Sequence, residues 1–165
     1  MEPVTQDFVE QTADFMMHLT KKQLDERVEE FKNRQIGISN LIFFESDKYK
    51  TINQKDFILR IGLIFVHCFE SYKIELPNIN NKTRDELIKE AIREVVKDKE
   101  NLSSQEHFVK SLAGIRQYDL YNYINNLILN DNEFRQLFNA EEITSLYIML
   151  IVLGQIYSKA FEKYS

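Results

Sequence analysis

Ile143 to Ser158 is a run of 16 residues without a charge, and Leu146 to Leu153 inside it is apolar on every side. A helix with no polar face has to be covered all round, by its own chain or by another molecule. Phe57 to Phe69 has the same character, interrupted at Arg60. Both runs are short of the ~20 apolar residues that cross a membrane. The reading that follows is a helical bundle with Phe57–Leu76 and Ala140–Tyr164 as its central pair, and a short tail anchor is the alternative for the second run.

The rest of the chain agrees with helices. Only four glycines and two prolines occur in 165 residues, too few turn formers for a sandwich or barrel. A short polar acceptor followed three residues later by Glu or Gln marks a helix start. Thr20 with Gln23, Thr83 with Glu86 and Ser103 with Glu106 fit that pattern, and Asn130 with Glu133 and Asn139 with Glu142 fit it more loosely. Pro3 suits the first turn of an opening helix. From Arg84 to Lys99 the apolar positions Leu87, Ile88, Ala91, Ile92, Val95 and Val96 form one stripe. Helical regions are therefore expected over 3–34 with a break near Thr20, 53–76, 84–99, 104–129, 131–138 and 140–164. Residues 35–52 stay open, because IGISNLIFF suits a short helix or extended chain equally, and residues 78–82 read as a turn. The fold class predicted is all-α, one domain over residues 1–165, with about five to seven helices. Gly62, Gly114 and Gly154 fall inside expected helices, where glycine costs ~1 kcal/mol against alanine. Close helix approach or room for a ligand would offset that.

Composition removes function classes. Lys and Arg number 21 against 26 Asp and Glu, a formal net charge of −5. That balance is the reverse of a nucleic-acid footprint. Cys68 is the one cysteine, so no internal disulfide forms. The acidic start MEPVTQDFVEQ has no apolar signal core. A cytoplasmic chain that binds neither nucleic acid nor membrane is the expectation.

Catalytic and cofactor motifs are missing. The residues three before His18, His67 and His107 are Phe15, Ile64 and Ser104, so the Glu-x-x-His of di-metal bundles is absent. The sequence holds no zinc-protease or paired-cysteine motif, no EF-hand loop, no glycine-rich phosphate loop and no nucleophile elbow. No catalytic residue, metal or cofactor is expected. Asp14 and His18 lie at i, i+4, and His67 and Glu70 at i, i+3. A histidine beside a carboxylate in an apolar helix suits a metal ligand, a general base or a satisfied core group. Arg60 lies two turns before His67, where it would pair with a carboxylate or reach water along its stem. Together Arg60, Phe65, His67, Glu70, Tyr147 and Met149 form a candidate ligand site.

One octapeptide carries a resemblance. RQYDLYNY, residues 116–123, resembles the signature of the HEPN family of helical ribonucleases: an arginine, four to six residues, a histidine, one residue and a tyrosine. Arg116 and Tyr123 match it, Gln117 sits where a polar residue often follows the arginine, and Tyr121 replaces the histidine. Arg60 and His67 repeat the arginine-to-histidine spacing with Phe69 in the tyrosine position. The resemblance covers eight residues and implies a small helical bundle that dimerises around the motif. Without the histidine, proton transfer at a ribose hydroxyl has no agent there.

Three functional readings follow, in order. The first is a non-catalytic protein-interaction module, an adaptor, immunity-type inhibitor or regulatory subunit that also self-associates. In the last helix the polar face marked by Gln155, Ser158, Lys159 and Glu162 becomes apolar toward the N-terminus, at Ile148, Ile151 and Val152. Ile148, Ile151, Val152 and Gln155 are the candidate interface, with Glu29, Glu30, Glu141 and Glu142 facing a basic partner. The second is a bundle holding a small apolar ligand or a metal in its core. The third is a degenerate HEPN-like, RNA-related protein.

Overall fold

The computed structural model describes residues 4–71, 76–97 and 117–164, which form eight helices and no strand. They are α1 (Gln6–Met17), α2 (Lys21–Arg34), α3 (Ile36–Ser46), α4 (Ile52–Glu70), α5 (Asn81–Lys97), α6 (Tyr118–Asn130), α7 (Asn132–Leu137) and α8 (Ala140–Tyr164). The all-α bundle is as the sequence indicates, and the count exceeds five to seven. The excess is α3.

Side-chain caps set most helix starts. The Thr20 hydroxyl accepts from the Gln23 backbone N–H and the Gln23 side chain accepts from the Thr20 N–H, which divides α1 from α2. Asn139 and Glu142 exchange the same pair of bonds at 2.9 Å each and open α8. Such a cap stabilises a helix by ~1 kcal/mol. Two expected caps are displaced. Asn80, not Thr83, caps α5, its Oδ1 accepting from the Thr83 N–H at 2.9 Å. Asp131, not Asn130, caps α7 through the Phe134 N–H at 3.0 Å. The expected helix over 104–129 does not run through Gln117, whose backbone is not helical and which is fully buried, its Oε1 accepting from the Val4 N–H at 2.9 Å. The expectations for Pro3, Ser103, Gly114 and residues 104–116 fall outside the described residues.

α4 is central: α1, α2, α3 and α8 all pack on it. Ile58, Ile61, Ile64, Phe65, Cys68 and Phe69 are fully buried along it. α3 crosses α4 at Gly62, where a Cβ would stand 2.8 Å from Ile42 Cγ2, so close approach accounts for this glycine. α3 is helical, with apolar side chains on its exposed face (Ile36, Phe44) as well as its buried one. Gly37, Ile38, Ser39, Ile42, Glu45 and Ser46 are all buried, which leaves no single apolar stripe. Gly37 also admits the segment before α5: its N–H donates to the Ile79 carbonyl at 2.8 Å, and a Cβ there would meet that oxygen at 2.5 Å. The buried Gln35 side chain holds the same segment, bonding the Pro77 carbonyl and the Ile79 N–H.

α8 has ten buried residues and packs on α3, α4 and α5. Among the described residues it is the one helix long and apolar enough to cross a membrane, and 44% of its most apolar window is buried in the bundle. Two aromatic clusters flank α4. Phe57, Phe134, Phe138 and Tyr49 meet at one end, and Tyr157, Phe69, Phe65 and Tyr121 stack in a line at the other. Each fully buried ring of this kind stabilises the fold by roughly 2–3 kcal/mol.

Candidate functional site

The six residues of the candidate ligand site lie in separate surroundings. Among the described residues the Arg60 guanidinium pairs with neither His67 nor a carboxylate. Its Nη1 donates to the Met16 carbonyl at 2.7 Å and the Met17 carbonyl at 3.2 Å, satisfying the C-terminal end of α1. It does border an open cleft of about 470 Å³ with Asp56, Asp131 and Glu133. Phe65 is fully buried between Phe69 and Tyr121.

His67 is exposed, not part of the core, and its ring lies parallel to Phe8 of α1 at 5.9 Å. Partial burial, then the Arg27 and Arg34 guanidinium charges, hold its pKa below the usual histidine value. Glu70 turns away from it. The carboxylate pairs with Arg34 at 2.7 Å and accepts from the fully buried Tyr157 hydroxyl at 3.2 Å, joining α2, α4 and α8. Burial raises the Glu70 pKa against the opposing pull of Arg34 and the Tyr157 bond. Tyr147 is half-buried and donates to Asn125 Oδ1 across to α6, while Met149 is buried in the core. The arrangement is a set of inter-helix clamps. Among the described residues no group of three His, Cys, Asp or Glu side chains is placed to share a metal ion.

The remaining motif residues are similarly occupied. Tyr121 is 7% exposed, its hydroxyl donates to the Leu150 carbonyl at 3.3 Å, and burial pushes its pKa far up. A phenol so placed is fixed as a core group. Tyr123 is half-buried, also with a raised pKa, and Arg116 lies outside the described residues. His18 Nδ1 donates to its own helix at the Asp14 carbonyl, 2.8 Å away, and faces the Asp14 carboxylate at 3.2 Å. Cys68 is buried, which pushes its thiol up to about 12 and keeps it protonated and unreactive. His107 is outside the described residues.

The outer face of α8 is different. Ile148 is 56% exposed. Ile151, Val152 and Gln155 are half-buried, Val152 against the core. The sequence reading missed a second exposed apolar side chain, on the helix α3 that packs against α8. Phe44 on α3 is 67% exposed, and Lys48 ties it to α8. The Lys48 Nζ lies 5.1 Å from the Phe44 ring centre, 3.3 Å from Ser145 Oγ one turn before Ile148, and 2.7 Å from the buried Glu45 carboxylate. Below this joint the Tyr49 hydroxyl donates to Glu45 at 2.9 Å and approaches the Glu142 carbonyl at 3.2 Å. Phe44 also borders a groove of about 430 Å³ between α3 and α5, with Leu41 and Ile88 half-buried in it and Asn81, Arg84 and Asp85 on its far side. Reading residues 36–46 as a helix would have put Leu41 and Phe44 at i, i+3 and exposed the signal.

The acidic residues expected to face a partner are partly engaged at home. Glu29 lies 3.8 Å from Lys32 and Glu30 3.9 Å from Arg27, both loose surface pairs, and Glu142 caps α8. The described residues define an all-α helical bundle. No family model, curated protein or solved structure matches the chain.

Proposed function

We propose that this chain is a non-catalytic protein-interaction module of the adaptor, inhibitor or regulatory-subunit kind, working in the cytoplasm without a bound cofactor. The observation that carries the reading is two large apolar side chains standing in water on adjoining helices, Ile148 of α8 at 56% exposure and Phe44 of α3 at 67%, the latter bordering an open groove. Scattered exposed apolar residues are ordinary, but clustered ones with a polar rim mark interaction surfaces. The half-buried Ile151 and Val152 extend the patch along α8. Exposed Glu29, Glu30 and Glu141, on a chain of net charge −5, favour encounter with a basic surface and make the on-rate fall with salt.

The test is retention of a protein partner from host lysate at low salt by immobilised chain, with Ile148→Asp as control. A partner held by the wild type and lost with Ile148→Asp supports the reading. No partner, or equal retention by both, contradicts it.

A further inference from the structure

We draw no further inference here: the strongest candidate, the cleft of about 470 Å³ between α4 and α7 bordered by Asp56, Arg60, Asp131 and Glu133, is an acidic cluster around an arginine whose charges are engaged within the chain, with Lys21 on Asp56, the α1 carbonyls on Arg60 and Asp131 capping α7, and no buried side chain among the described residues is left unpartnered to point to a ligand there.

Discussion

The two sides of α4 use their unusual residues in opposite ways. On the α1–α2 side, Arg60 closes the end of α1, Glu70 joins Arg34 to Tyr157, and His67 stacks on Phe8. Each of these three residues is held by a neighbouring helix. Phe15 is half-exposed on that side, but it stands by itself under the Arg27 guanidinium. On the α3–α8 side, Phe44 and Ile148 are exposed on adjoining helices, and Phe44 borders an open groove. Polar residues inside a bundle are more often its joints than its active site, while apolar residues outside it have no folding purpose that needs them exposed.

That contrast predicts unequal costs. Tyr157→Ala removes a fully buried ring stacked on Phe69 at 4.9 Å and leaves Glu70 without its hydroxyl donor. It lowers unfolding free energy by about 3–5 kcal/mol, whereas Phe44→Ala changes it by ~0.5 kcal/mol or less, both read from urea titrations. Equal costs would erase the distinction between the two sides.

Arg60→Met keeps the stem and removes the donors to the α1 carbonyls. A loss of about 1–3 kcal/mol is expected. Amide exchange should quicken at the C-terminal turn of α1 and at the start of α2, where Lys21 pairs with Asp56 of α4 at 2.8 Å. Unchanged stability would mean the clamp does not hold α1.

The smallest effect concerns His67. Its pKa is lowered in the fold, so the unfolded chain binds the proton first on acidification. The stability His67 contributes is therefore complete above the usual histidine range and is lost as pH falls through it. Melting temperatures measured from about pH 8 to about pH 5 should fall further for the wild type than for His67→Gln, the difference isolating this residue from Glu70 beside it. Parallel curves would place the His67 ring free of Arg27 and Arg34.

How much of this was legible in the sequence depends on what each residue faces. The starts of α2 and α8 could be read, because Thr20–Gln23 and Asn139–Glu142 carry both halves of a reciprocal cap within four residues. The starts of α5 and α7 were misplaced because polar acceptors lie close together there, at Asn80 and Thr83 and at Asn130 and Asp131, and only the backbone path decides which one caps. Helix α3 was illegible because apolar Ile36 and Phe44 lie on its exposed face while Ser39, Glu45 and Ser46 are buried, which erases periodicity. The exposure of His67 was illegible for a related reason: in a helix apolar almost all round, the pattern does not show which position points to water. Phe44 was missed with α3, and its link to α8 depends on a tertiary contact through Lys48 and Ser145 that no local pattern encodes.

A native mass spectrum of the purified chain most directly tests whether this bundle meets proteins rather than small ligands. The account predicts species whose masses are sums of whole protein chains, the simplest at twice the mass of this one, which release bare chain on activation. A monomer carrying the extra mass of a metal ion or a small organic molecule would contradict it.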